Sequence, residues 1–546
     1  MKMDLIPYHK KKVLIIEDLA EMRSTLKSML ANMGVQIMET VTNGEEALAK
    51  LAFNQFDIIF SDYELGRGKD GQQILEEVRH SGLIPASTVY IMVTAAQTME
   101  MVMGALEFEP DGYITKPVTL EILRTRLNRI IRTKDVYQDI NRAIDRKDIN
   151  GALEACNRLA VENPKFALPA YRIKGKLLLN ENRIEEARDI YDTVLGIKRM
   201  AWAMLGMAKV HFLQDQLEEA QKLLEGLAST NVKYVEAFDW LAKVLEGQGK
   251  LKSAQAVLEK AVEQSPKAVL RQQELARIAE LNGDYETLHK ACRKANALAK
   301  NSVFKNADVL IRYAKAMQPK IKHGSSRDQK QAFSEAMTLL QTARTEFQLN
   351  IAQSVKSALV EAQTLYNSNK EVEGRLAYKA ALSMLKNGEL LSLDDRLDVF
   401  ASKLQFEEGS EAMAYGAKLL AEIGNNRRLQ ANYYRVMDFH LSKQPEERLA
   451  LLKKRGQELL DRNDFEEAFD VLLRAARAPN TDTDSQVSAL TAGVNLYRQG
   501  TRNSELLDDI NNLFKALENL NTSDPRFPTL EKLRLQWSQQ NSGTAA

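Results

Sequence analysis

Val13-Leu14-Ile15-Ile16-Glu17-Asp18 is an apolar run that stops on two carboxylates. The same pattern returns further along. Ile58-Ile59-Phe60-Ser61 runs into Asp62, and Val89-Tyr90-Ile91-Met92-Val93 runs into Thr94. Asp111-Gly112-Tyr113-Ile114-Thr115 runs into Lys116-Pro117. Short apolar runs bounded by polar residues read as strands buried on both faces. Strand candidates are 12–17, 36–40, 57–61, 88–93 and 112–115. Helical patterns fall between and after them, near 20–33, 44–53, 70–81, 98–107 and 119–133. This alternation predicts an α/β, doubly wound, five-stranded parallel sheet of the flavodoxin-like kind. The polar residues then share the C-terminal edge of the sheet, where ligands of such folds bind.

Three carboxylates (Glu17, Asp18, Asp62), a hydroxyl (Thr94) and an ammonium (Lys116) therefore converge on one pocket. That set suits Mg²⁺, which takes oxygen ligands and keeps some of its waters. It also suits a phosphoryl group carried on one aspartate. Taken singly, each residue is bland: an Asp after a strand is most often a turn or helix cap, and a Lys-Pro is most often a loop. Their joint occurrence, in order and at matching places in the alternation, carries the reading.

The constellation resembles the receiver domain of bacterial two-component response regulators, over residues 11–133. The resemblance implies that Asp62 accepts a phosphoryl group from a sensor histidine kinase or phosphotransfer protein. It implies that Asp18 holds Mg²⁺ directly and Glu17 through water, with Asp62 and the backbone carbonyl of Glu64 as further ligands. Lys116 would pair with the phosphoryl oxygens. Thr94 would swing in to hydrogen-bond them, and Tyr113 would turn inward with it. The Lys116–Pro117 peptide would be cis, a form that only X-Pro bonds adopt at low cost. There are departures from the family. Tyr63-Glu64-Leu65-Gly66-Arg67-Gly68-Lys69-Asp70-Gly71 lacks the Met-Pro common there and is one residue longer than usual. Glu64 and Ala96 stand two places past Asp62 and Thr94, where the family tunes the lifetime of the phosphoryl group. The acidic pair is Glu-Asp where Asp-Asp is common.

At 546 residues the chain is too long for one core, and about three or four domain equivalents are expected. The net charge of +1 gives no global field toward nucleic acid or an anionic membrane. The two cysteines, Cys156 and Cys292, lie in helical, alanine-rich surroundings. They read as unpaired core thiols in a reducing compartment, and the chain as cytoplasmic. The start of the chain lacks the apolar core of a signal peptide, and no run approaches a membrane span in length.

After Arg132 the strand signals stop and an all-α pattern with a repeat takes over. Ala208, Ala242 and Ala276 are 34 apart, as are Asp215, Gly249 and Gly283. Leu224, Leu258 and Cys292 keep the same step, as do Leu227, Ala261 and Ala295. Small residues at that period resemble tetratricopeptide repeats, most closely at Phe238, Leu241, Ala242, Gly249, Ala254, Ala261 and Pro266. The small residues let paired helices approach, and a Gly or Asn in the turn supplies positive φ. Flanking copies fall at 135–167, 168–201 and 199–232, and another at 449–482 with Gly456, Ala468, Leu472 and Ala475. The divisions read as a receiver at 11–133, repeats at 134–300, irregular helices at 301–448, and a repeat with C-terminal helices at 449–546. Lys320 to Arg327 is a turn-rich break and the candidate hinge.

Repeat solenoids present a curved surface that binds peptides or other proteins. No catalytic constellation is evident in 134–546, and His211, His289, His323 and His440 lack metal-ligand spacing. The expected protein is not an enzyme. It is a phosphorylation-controlled regulator whose repeats bind a protein partner, with dimerisation possible. The switch would reshape the face at 96–133 and pass along a helix that enters the repeats without a Gly/Pro-rich linker. The alternatives are a regulator that inhibits phosphotransfer at the kinase or drains phosphoryl groups from it, a cryptic enzyme in 300–546, and a nucleic-acid binder.

Overall fold

The computed structural model describes residues 6–94, 110–385, 391–407, 409–501 and 504–541. The helical pattern expected at 98–107, and Ala96, lie outside them. The first region is a five-stranded sheet, with β1 (Lys12–Ile16), β2 (Ile37–Val41), β3 (Ile58–Asp62), β4 (Val89–Thr94) and β5 (Gly112–Thr115) in the order β2-β1-β3-β4-β5. Every pairing is parallel. The sequence expectation of a doubly wound α/β sheet holds, with strand ends shifted by a residue.

Alternation along the strands builds two cores. Val13, Ile15, Ile58, Phe60, Ile91 and Val93 face α1 (Ala20–Asn32) and a later helix, Leu120–Val136, through Leu26, Leu30, Leu123 and Leu127. Leu14, Ile16, Ile59, Tyr90 and Met92 face α2 (Gly44–Phe53) and α3 (Gly71–His80) through Leu51, Ile74, Leu75 and Val78. Each such fully buried aliphatic contributes about 2 kcal/mol. Asn43 caps α2 by accepting from Glu46 N, and Asp70 caps α3 in a box with Gln73. The helix Leu120–Val136 is called α4 below; Thr119 caps it. It meets the next helix, Gln138–Asp145, at Tyr137.

From there every described element is helical. Helices start at Ala167, Ala201, Val235 and Val269, a step of 34, and their partners at Ile184, Leu217, Leu251 and Tyr285. The turns within pairs carry left-handed residues, Asn182 (φ 56°), Asp215 (φ 58°), Gly249 (φ 85°) and Gly283 (φ 70°). Ala208, Ala242, Ala276, Ala220 and Ala254 are buried. A Cβ on Gly206 would stand 2.3 Å from the Tyr191 ring, so glycine lets these helices close. Farther on, Gly456 does the same against Leu472, where a Cβ would also fall at 2.3 Å. The residues read as core thiols, Cys156 and Cys292, are buried and unpaired. Burial pushes their thiols up to about 11 and about 12.

The chain divides into two compact units, Met1–Leu245 with Ser253–Leu349, and Glu246–Lys252 with Asn350–Ala546. Residues 320–327, read as a hinge, fall inside the first unit, where Ser325 caps the long helix Ser326–Glu346. In the second unit Phe400 stacks on Tyr433 at 5.3 Å, and Trp537 closes a cluster with Leu490, Tyr497 and Ile510. Among the described residues no helix is long and apolar enough to cross a membrane.

Candidate functional site

The sheet edge assembles the site. β1 delivers Glu17 one residue past its end, β3 ends on Asp62, β4 ends on Thr94, and Lys116 follows β5. The register β1–β3–β4–β5 sets these ends side by side: Ile16 pairs with Ser61, Asp62 with Val93, and Thr94 with Thr115. Glu17, Asp62 and Thr94 are almost wholly buried. Oxygens of Glu17, Asp18 and Asp62 lie within 4.8 Å of one another, and Asp18 is the most open of the three. Lys116 Nζ donates to Asp62 Oδ2 at 2.8 Å and to Glu17 Oε2 at 3.2 Å. The Lys116–Pro117 peptide is cis. Tyr113 is half-buried against the α2–α3 core. Glu64 is exposed in the loop that leaves Asp62.

Electrostatics follow from this crowding. Burial pushes the Glu17 carboxyl up, and the Asp62 charge adds to that, while Lys116 opposes both. Burial likewise raises Asp62 against the Lys116 hydrogen bond. Burial would lower the Lys116 ammonium, but Asp62 and Glu17 outweigh it and hold the group above its ordinary value. Among the described residues three carboxylates face the Lys116 ammonium, so a divalent cation would relieve the excess negative charge. Glu17 Oε1 is buried without a hydrogen-bond partner among the described residues. A buried orphan carboxylate oxygen beside two further carboxylates fits Mg²⁺ chemistry.

Sequence reasoning missed Arg23. Its guanidinium donates to the backbone carbonyls of Glu17 at 2.7 Å and Asp18 at 3.1 Å, fixing the acidic turn. Nothing in the residue spacing announces that. It also did not anticipate how closely the β3–α3 loop wraps the site. A Cβ on Gly66 (φ 68°) would lie 3.3 Å from Asp18 Oδ2, and one on Gly71 would collide with the Asp62 carbonyl at 2.1 Å.

Residues 13–128 match the family model described as response regulator receiver domain. This part of the chain is a receiver domain. Residues 235–267 match the model for a tetratricopeptide repeat, so the all-helical region after the receiver contains a repeat of that family. Chemotaxis protein CheY-3 of Vibrio cholerae is 29% identical over 128 residues, 23% of this chain and 97% of that protein. Chemotaxis protein CheY of Pseudomonas aeruginosa is 29% identical over 119 residues, 22% of this chain and 94% of that protein. Among solved structures, a tetratricopeptide repeat protein from Parabacteroides merdae is similar at 14% identity and a TM-score of 0.32, covering 49% of this chain and 96% of its own. The receiver domain of Francisella response regulator 1452 is similar at 25% identity and a TM-score of 0.21, covering 23% of this chain and 98% of its own.

Proposed function

We propose that this chain is a non-enzymatic, phosphorylation-controlled response regulator in which Asp62 is the phosphoacceptor and the repeats engage a protein partner. The observation that carries the reading is the Lys116 ammonium held between Asp62 and Glu17 beside a third carboxylate at one sheet edge.

In the transfer, an Asp62 carboxylate oxygen attacks the phosphorus of a phosphohistidine on a kinase or phosphotransfer protein. An O–P bond forms, the N–P bond breaks, and the imidazole leaves with its electron pair. Two anions approach each other in this step, so the work of the site is positioning and charge neutralisation. Glu17, Asp18, Asp62 and the Glu64 carbonyl would hold Mg²⁺, which supplies positive charge on the phosphoryl oxygens. Lys116, hydrogen-bonded to Asp62, would neutralise a further phosphoryl oxygen. Thr94, at the end of β4, would donate its hydroxyl to the phosphoryl group, and Tyr113 would move with it. Arg23 keeps the acidic turn in place while charge at the site changes. The setting proposed is the cytoplasm, where histidine kinase modules present their phosphohistidines.

The test uses purified full-length protein with Mg²⁺ and beryllofluoride, which mimics the phosphorylated aspartate. Untreated protein and Asp62→Asn serve as controls in a pull-down from lysate. The expected result is a protein gained or lost only when the intact site is loaded. Identical captures in all three samples would sink the switchable output. A captured sensor kinase would shift the reading toward an inhibitor of phosphotransfer.

A further inference from the structure

The loop that leaves Asp62 also touches the repeats. Within the first unit, the turn at 298–304 between the helices Tyr285–Leu298 and Ala307–Ala316 meets the β3–α3 segment of the receiver. Lys69 Nζ donates to the Asn301 carbonyl at 2.5 Å, and Asn301 Nδ2 donates back to the Gly68 carbonyl at 2.7 Å. Gln73 closes the α3 capping box by accepting from Asp70 N at its Oε1, and its Nε2 donates to the Leu298 carbonyl at 3.4 Å. The rings of His80 and Phe304 meet edge to face at 5.6 Å. Lys267, in the loop before the helix Val269–Asn282, puts its ammonium 5.9 Å from the centre of the Tyr63 ring. Tyr63 is the residue directly after Asp62.

The same loop faces the site on its other side. Gly66 lies against the Asp18 carboxylate and Gly71 against the Asp62 carbonyl. Gly66 and Gly68 both sit at positive φ, 68° and 99°. A glycine-rich loop of this kind has many accessible conformations, and holding one of them costs conformational entropy. Here the repeat turn supplies the hold. Any ligand that needs the loop in place meets a loop already ordered, so it binds more tightly. Linkage requires the converse: occupancy of the site must strengthen the grip of the loop on the turn by the same factor.

We propose that the 298–304 turn is a clasp on the phosphorylation-site loop, so that loading Asp62 and seating the receiver on the repeats reinforce each other. The β3–α3 side of the receiver is then the surface through which the site addresses its own repeats. This inference rests on Asp62 being the phosphoacceptor, as proposed above.

The test keeps the full chain. Asn301→Ala, Lys267→Ala and the double substitution alter side chains at exposed or half-exposed turn positions. Lys290→Ala, an exposed change in the same repeat, is the control. Mg²⁺ and beryllofluoride are titrated while ¹⁹F NMR follows the bound fluoride, and hydrogen exchange is read over 298–304. The expected result is loading weakened about fivefold or more in the double variant. The control should be unchanged, and exchange at 298–304 should be slower in loaded wild-type protein. Equal affinity in the double variant and the wild type, or tighter loading in the double variant, would overturn the clasp and leave the phosphoacceptor reading standing. A wild-type chain that takes up no beryllofluoride would overturn both.

Discussion

The receiver and the repeats solve opposite problems with charge. At the receiver site, ionisable groups are crowded so that negative charge is left over: Glu17, Asp18 and Asp62 meet one ammonium, and a Glu17 oxygen has no partner among the described residues. In the repeats, several buried charges are paired across helices, although Arg271 Nη1, Arg455 Nε and Asp464 Oδ1 lack a partner among the described residues. Glu280 receives both Arg312 and Lys315 at 2.7 Å, and Arg271 pairs with Asp239 at 2.6 Å. The unmatched cluster is poised for a ligand that brings positive charge. The matched ones hold neighbouring helices in register. Damage to the receiver site should therefore remove chemistry and spare the fold, and damage in the repeats should do the reverse.

The largest effect expected is on chemistry. Asp62→Asn should abolish incorporation of an acyl phosphate from a small phosphodonor, with thermal unfolding of the repeats unchanged. Label appearing on the variant, or a collapse of the repeats, would break the division. Next comes Gly206→Val. The Cβ position is 2.3 Å from the Tyr191 ring, and overpacking at such a site costs roughly 3 kcal/mol. Denaturant titration should show that loss, while beryllofluoride affinity stays at the wild-type value.

A smaller effect is expected at Glu280. Burial alone would push its carboxyl up, but Lys315 and Arg312 outweigh burial and hold it well below the usual carboxylate range. A folded-state pKa below the unfolded one stabilises at pH values above the unfolded pKa, and the benefit is lost as pH falls through that range. Glu280→Gln should cost about 2 kcal/mol at neutral pH, somewhat under the range for breaking a fully buried pair. It should also flatten the acid limb of stability below about pH 5, where the wild type loses the benefit as pH falls toward the depressed folded pKa. An acid limb as steep as that of the wild type would show that other carboxylates set it. The smallest effect belongs to the receiver's local structure. Asn43→Ala removes the acceptor for Glu46 N at the start of α2, a loss of about 1 kcal/mol. A calorimetric scan should show it in the receiver transition alone.

The comparison also explains what could be read in advance. The strands were legible because buried parallel strands are nearly continuous apolar runs. The site was legible because its residues sit where those runs stop, at Asp18, Asp62, Thr94 and Lys116. The repeats were legible because close helix contact demands a small residue at fixed intervals, as at Ala208, Ala242 and Ala276. Arg23 was not legible, since it acts on backbone carbonyls and any sequence supplies those. Nor was the meeting of Lys69 with Asn301, which are 232 positions apart and share no pattern. The division between units at 349 and 350 was hidden because it falls in a short turn between two helices, like many others in the chain, and the turn-rich stretch at 320–327 drew attention instead.

The two cysteines carry a consequence of a different kind. With thiols pushed up to about 11 and about 12, the reactive thiolate at neutral pH is on the order of one molecule in ten thousand or fewer. Peroxide and electrophiles therefore find almost nothing to attack at the two cysteine thiols. A single cysteine introduced at the surface would be the dominant site for a fluorescent or spin label.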